Sequence, residues 1–417
     1  MKMHYVGDQE EVLLCRFYLP SKICIDSKGG ICYHYRMILR EIRLKLSEFA
    51  QNYPVVTVVG PRQSGKTTLT RMEFPHHAYV NLESLADREF AATDPVAFLR
   101  QFGDSSVVID EIQRVPHLLS QIQVSVDRDP RCGRFILTGS QNFSMMKAVS
   151  QSLAGRTAIC TLLPLSMSEL GENLKKQTVD EVMWRGFYPK LHVKPVNPAD
   201  ELSFYVSTYL ERDVRELENL RNLRTFSIFL RLAAGRTGQV LNVSSLAADA
   251  GISPKVATDW LSLLEASYVV SLLEPWHANL NKRLVKAPKL YFNDVGLACN
   301  LIGISELRQL AAHPLRGALF ETMVVDEFLK RRANVAGHWN INYYRDSNRN
   351  EIDLVIDHAG VVDLCEVKSG ETFSSDWAKT MVRLSSQFGS DVSRTVIYGG
   401  DESQSRSEFE LKSWREF

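Results

Sequence analysis

The sequence has 417 residues, 45% hydrophobic and 24% charged, with a formal net charge of zero. That length exceeds one ordinary hydrophobic core and predicts two or three domains; the neutral balance excludes a global basic field, so any nucleic-acid contact would need a local patch. No apolar run is long enough to span a bilayer, the start lacks a basic-then-apolar secretory pattern, and the seven cysteines form no Cys-x-x-Cys pair, so the expectation is a cytoplasmic protein with reduced thiols.

Residues 1–36 show no clear period and contain a Gly29–Gly30 break. They read either as an N-terminal extension, from an upstream start codon, or as an arm packed on the core. From Met37 the pattern turns helical and predicts Ile38, Ile42, Leu46 and Phe49 on one face. Short apolar runs then alternate with polar or helical stretches: Val55–Val59, Ala78–Leu82, Val107–Ile109, Phe135–Leu137 and Thr157–Leu163. Such runs predict a parallel sheet covered on both faces, an α/β core over residues 37–165. Residues 166–224 read as a helical lid or linker.

Residues 225–316 read as helix, short helix, turn, helix and then a strand beginning near Tyr268. Gly251 suits the tight bend, and Ser253 caps a helix that has Pro254 at its first position. This is a winged helix-turn-helix pattern. Its second helix, Pro254–Leu264, offers Lys255, Thr258, Asp259 and Trp260, a poor set for phosphates, whereas the wing at Asn279–Lys289 is more basic and is the candidate contact for a nucleic-acid backbone. The block from 317 to 417 predicts a helix at Leu319–Arg331 and strands at Ile341–Arg345, Glu351–Asp357 and Val361–Val367, a second α/β domain.

The stretch Gly60, Pro61, Arg62, Gln63, Ser64, Gly65, Lys66, Thr67 fits G-x-x-x-x-G-K-[ST] in full, follows a strand and opens a helix. Its backbone N–H groups, with that of Thr68, would turn toward phosphates at a helix N-terminus. Lys66 is expected on the β- and γ-phosphates of ATP and Thr67 on magnesium. The apolar strand of VVIDEIQ ends in Asp110, a second magnesium-shell candidate, and Glu111, the candidate general base. Alone it would pass for an ordinary acidic strand end. Thr138 and Ser140, at the end of RFILTGS, are candidate sensors of the γ-phosphate or water. Arg156, in SLAGR, is either a finger entering a neighbouring subunit's site or a plain surface arginine.

These blocks resemble the AAA-plus superfamily. More closely, GPRQSGKTTL, VVIDEIQ, ILTGSQN and SLAGR, with YLERDV at Tyr209, LYFNDVGL at Leu290 and GALFETMVVDEF at Gly317, are similar to prokaryotic P-loop ATPases whose C-terminal half carries a domain of unknown function. The likeness covers Met37 to the C-terminus and implies an ATPase without naming a substrate. One departure is that Thr138 and Ser140 stand where the superfamily usually has Asn at the sensor position; Asn142 lies past the strand.

The last block carries a candidate second site. Glu321 lies on a helix, Asp353 on the following strand, and Glu366-x-Lys368 on the next, where alternation puts Glu366 and Lys368 on one face. The set resembles the PD-(D/E)xK nuclease fold, which implies carboxylates sharing a divalent ion and a lysine that positions water. A degenerate fold kept for binding is the competing reading. Three functions are therefore expected to compete: an ATPase moving its C-terminal modules, on nucleic acid or otherwise; an ATP-gated DNA nuclease; and a non-catalytic nucleotide switch. The expected partners are ATP, further copies of the chain in a homo-oligomer, and DNA, with no membrane.

Overall fold

The computed structural model describes residues 23–25, 31–33, 37–140, 152–210, 223–276, 287–358 and 360–417. Two short strands, β1 (Ile23–Ile25) and β2 (Ile31–Tyr33), pair antiparallel. Helix α1 (Arg43–Asn52) follows, starting later than its hydrophobic period suggests. Ile42 and Leu46 are buried as expected, but Ile38 precedes the helix. The reason is tertiary: Glu41 N donates to Glu169 at 2.7 Å and the Arg40 side chain reaches inward, which fixes this segment before helical bonds can extend through it.

The first sheet has strands β3 (Val55–Gly60), β4 (Ala78–Asn81), β5 (Val107–Asp110), β6 (Phe135–Ser140) and β7 (Thr157–Thr161), all parallel, in the order β4-β5-β6-β3-β7. Alternation explains why the runs are apolar throughout. Val55 and Val59 belong to the core under one face, and Val56 and Val58 to the core under the other. Helix α2 (Lys66–Glu73) covers the second face, and α3 (Leu118–Arg128) the first, through Leu118, Leu119, Ile122 and Val126.

Short helices follow, among them α4 (Met167–Leu170), closed by a Ser166–Glu169 capping box. Helices α5 (Leu223–Ala234), α6 (Val243–Ala250) and α7 (Pro254–Ala266) precede strands β9 (Val270–Leu273) and β10 (Lys289–Phe292), which with β8 (Gln239–Val240) make an antiparallel sheet ordered β8-β10-β9. Gly251 adopts φ 68° and the Ser253 side chain accepts from Val256 N, the turn chemistry read from AGIS-Pro. Trp260 faces the core, its ring 5.2 Å from Phe226 and 5.1 Å from Phe229, so it is no surface contact for nucleic acid. Residues 279–286 of the expected wing lie outside the described residues. Its last residue, Lys289, is 2% exposed, against the expectation of a solvent-facing basic wing.

Helix α8 (Arg316–Asn334) is longer at both ends than Leu319–Arg331 and enters one continuous core with the short helices that follow β7, with α5, α6 and α7, and with the three-stranded sheet. Polar ties mark its passage. The hydroxyls of Thr237 and Thr322 lie 2.8 Å apart, Arg316 pairs with Asp180, and Glu327 accepts from Met167 N at 2.8 Å. Beyond it stands a six-stranded mixed sheet ordered β11-β12-β13-β14-β16-β15, with β11 (Asn340–Arg345), β12 (Glu351–His358), β13 (Val361–Lys368), β14 (Val392–Tyr398), β15 (Gln404–Ser405) and β16 (Glu410–Ser413). The molecule is α/β, with helices against both its five-stranded parallel sheet and its six-stranded mixed sheet. None of the described helices is long and apolar enough to cross a membrane.

Candidate functional site

The loop from Gly60 to Gly65 leaves β3 and closes on α2. Gly60 has φ 150°, and a Cβ there would stand 2.1 Å from Leu162 O, so only glycine lets the loop pass that strand exit. Gly65, φ 97°, is the N-cap of α2. Lys66 is buried, and its ammonium donates to Gly60 O at 2.9 Å and Pro61 O at 2.8 Å, which ties its stem across the loop mouth. Thr67 Oγ1 donates to Asp110 Oδ2 at 2.8 Å.

Asp110 ends β5 and is 2% exposed. Two further hydroxyls hold it. Tyr79 OH, from the edge strand β4, donates to the same Oδ2 at 2.8 Å, and Thr138 Oγ1, from β6, donates to Oδ1. Burial, and then the bond to Asp110, push the Tyr79 phenol well above its ordinary range, so it stays a donor. Thr138, a candidate phosphate sensor, donates here to Asp110 and also accepts from Glu111 N at 3.4 Å. Glu111 lies past the strand with φ 60°, a left-handed conformation that turns its carboxylate back toward β6. There Gln113 Nε2 donates both to Glu111 and, at 2.8 Å, to Ser140 Oγ. Asn142 lies outside the described residues.

Arg156 is remote from this constellation. It precedes β7, at the strand starts rather than the strand ends, and pairs with Asp127 at 2.6 Å on the surface. Sequence reasoning missed Arg40. Its guanidinium donates to Ser64 O and Leu163 O, both at 2.7 Å, and to both oxygens of Glu169 at 3.0 Å, which braces the phosphate loop against α4. It also missed Tyr79 and Gln113; Gln113 sits two residues beyond Glu111 in the motif already singled out. Beside the loop a cavity of ≈ 250 Å³ is lined by Ile38, Leu39, Thr68, Met72, Pro189 and Val193, among others.

The C-terminal carboxylates do come together. Lys368 Nζ lies 2.7 Å from Glu366 and 3.4 Å from Asp353, and Asp353 Oδ2 also accepts from Val367 N at 2.8 Å. Glu321 faces the same cleft from α8 and accepts from Tyr291 OH at 2.6 Å. Burial, with Asp353 next, raises Glu366 to about 8 and Glu321 to about 7. The centre of the cluster is filled by Lys289. Its Nζ lies 2.9 Å from Glu321, 2.5 Å from Glu351 and 3.9 Å from Asp353. Burial opposes its charge, but Glu321, Asp353 and Glu351 outweigh it and hold the ammonium above its ordinary range. The expectation of carboxylates sharing a divalent ion is corrected accordingly: among the described residues no group of three or more His, Cys, Asp or Glu could hold a metal, and two lysines stand between these acids. The overlooked signal was period-2 alternation, which puts Lys289 and Tyr291 on one side of a strand buried throughout.

Residues 52–171 match the family described as an AAA domain; residues 176–308 and 316–417 match two domains of unknown function, DUF8612 and DUF4143. Over 338 residues the chain is 30% identical to the uncharacterized proteins Rv2008c of Mycobacterium tuberculosis and Mb2031c of Mycobacterium bovis, covering 80% of this chain and 74% of each of them. Among solved structures it is similar to the Walker-type ATPase PABY2304 of Pyrococcus abyssi, with 18% identity, 69% of this chain and 99% of that one covered, and a TM-score of 0.44. It is also similar to RuvB of Thermotoga maritima, with 18% identity, 55% and 88% coverage, and a TM-score of 0.30. Structural likenesses this loose carry no functional argument.

Proposed function

The chain belongs to the family of these two mycobacterial proteins, and from the geometry of its own phosphate loop we propose that it binds ATP with magnesium and hydrolyses it. The observation that carries this reading is the 2.8 Å contact between Thr67 Oγ1 and Asp110 Oδ2, which puts the two expected magnesium partners together at the N-terminus of α2. Hard oxygen donors of this kind suit magnesium, which when bound would neutralise developing charge on the phosphates. Lys66 is in place to exchange its loop carbonyls for β- and γ-phosphate oxygens. Tyr79 and Thr138 keep Asp110 oriented. Glu111 is the general base that takes the attacking water's proton, with Gln113 and Ser140 fixing its carboxylate. The cavity beside the loop takes the adenine, its apolar wall closed by Pro189 and Val193 of the lid.

Hydrolysis would move the C-terminal modules through α8, whose Glu327 is tied to Met167 in the lid. Arg156, far from its own phosphate loop, would act in trans within a homo-oligomer. Mixing Arg156→Ala with Glu111→Gln protein tests this, because some mixed interfaces pair an intact Glu111 with an intact Arg156 and regain turnover. No recovery in a demonstrated oligomer counts against a finger.

A second reading, cleavage of DNA at the C-terminal centre, is favoured by the convergence of Glu321, Asp353, Glu366 and Lys368 and opposed by Lys289, which stands among them where a divalent ion would have to sit. One set of assays addresses both readings: phosphate release from ATP with and without single- and double-stranded DNA, with cleavage read from the same tubes. Absence of ATP turnover sinks the first. Cleavage that survives Asp353→Ala, or no cleavage at all, sinks the second.

A further inference from the structure

A second cavity, of ≈ 310 Å³, opens where three parts of the chain meet: edge strand β7, the winged module, and the end of α8. β7 contributes Ile159 and Thr161, the winged module Tyr268, Ser271 and Asn293, and α8 Leu329 and Arg332. The chemistry of this lining is one-sided. It has a guanidinium, three hydroxyls, a carboxamide and, just beyond α8, the His338 imidazole, but no carboxylate.

Arg332 makes the asymmetry consequential. Among the described residues it has no ion-pair partner, and its hydrogen bond is a long one, from Nη1 to Trp339 O at 3.4 Å. The other arginines of α8 are matched, Arg316 to Asp180 and Arg331 to Glu327. Burial without an opposing charge pulls the Arg332 guanidinium below its ordinary range, the condition that an incoming anion relieves. Backbone conformation agrees. Five described non-glycine residues have positive φ; Gln63 and Glu111 belong to the phosphate site, and Tyr268 (55°) and Ala336 (49°) line this cavity. Conformations of that kind persist where the surroundings over-determine them, often at ligand sites.

We propose that this junction is a binding site for a small organic oxyanion, a phosphate monoester or a carboxylate, held by the Arg332 fork and the hydroxyls of Thr161 and Tyr268, with the Ser271 hydroxyl, which donates to Asn293 Oδ1 at 2.7 Å, turning to the ligand on binding. The apolar part of the ligand rests on Ile159, Leu163 and Leu329. The cavity is at the small end of ligand pockets, a size that suits a ligand of about one ring. Because all three modules supply its lining, an occupant favours their docked arrangement by the difference in its affinity for docked and undocked chains. The site is independent of the ATPase reading.

The test uses the full chain carrying Lys66→Ala, so that the phosphate loop does not compete for phosphate. Inorganic phosphate, phenyl phosphate and benzoate are titrated in separate calorimetric arms, which distinguishes phosphate from carboxylate recognition. Saturable binding of at least one organic probe is expected. Arg332→Ala should weaken it by about tenfold to a hundredfold, the usual effect of losing a charge-assisted hydrogen bond. Ser271→Ala should weaken it several-fold, and Arg332→Lys should lie between wild type and alanine, since the charge is kept and the fork lost. No saturable binding at millimolar probe, or binding that both alanine variants leave unchanged, overturns the site.

Discussion

The two acidic centres of this chain satisfy their carboxylates in opposite ways. Three hydroxyls, from Thr67, Tyr79 and Thr138, hold Asp110. Two ammonium groups hold Asp353, with Lys368 at 3.4 Å and Lys289 at 3.9 Å. Hydroxyls are neutral and bring no opposing charge to Asp110, which suits it to the divalent ion proposed there. Lysines cancel that charge and fill the space. Proximity of acidic groups is therefore no measure of metal competence; what matters is whether their present partners are charged.

The comparison is sharpest where the expected effects are largest. Lys66→Ala should abolish ATP binding as read by calorimetry, because it removes the charge held at the loop mouth against Gly60 O and Pro61 O. Undiminished affinity would break the assignment of the first centre. Glu111→Gln should keep binding and lower turnover by about two to four orders of magnitude, the usual loss for a general base. Near-normal phosphate release from that variant would show that another group orients the water.

Much of the first centre was legible in the sequence because its chemistry is local. Loop, helix start and strand end are contiguous, and continuous apolar runs mark a sheet buried on both faces. The supports were not legible, because they arrive through tertiary structure. Tyr79 reaches Asp110 across two paired strands, and Arg40 reaches Ser64 across the phosphate loop. In the second centre, alternation placed Glu366 and Lys368 on one face. Alternation along β10 puts Lys289 and Tyr291 on one side, but it does not show that Lys289, from a different sheet, lies between Glu321 and Glu351. Read as a string, it was one more basic residue near a wing. Only the docking of β10 against α8 and β12 makes it a core residue.

The second centre is tested by taking its lysine away. Lys289→Met should destabilise the protein by about 3–5 kcal/mol in denaturant unfolding, the usual range when one partner of a buried charge set is removed and the rest is left uncompensated. Pairing it with Glu321→Gln should cost less than the two single changes added together, since the groups are 2.9 Å apart and share one compensation. Additive losses, or a near-neutral Lys289→Met, would show that the ammonium is a bystander and would remove the contrast between the centres.

The smallest expected effect is also the most specific, because it depends on pH. Glu366 has its pKa raised from 4.5 to about 8, chiefly by burial and then by Asp353, despite the Lys368 ammonium at 2.7 Å. An acid that holds its proton more tightly folded than unfolded contributes stability when protonated. That contribution is fully present below the unfolded value near 4.5 and is lost as pH rises through about 8. Glu366→Gln removes the titration while its amide oxygen still accepts from Lys368. The variant and wild type should thus be nearly equal near pH 5, and the variant should become the more stable of the two as pH rises toward 8.5. Glu321, raised to about 7 in the same cluster, leaves part of the slope in place, because interacting carboxyls titrate as a set. Parallel stability curves for the two proteins across this range would mean that the Glu366 proton is not held by the fold, and that the lysines leave the acids free to ionise as they would in water.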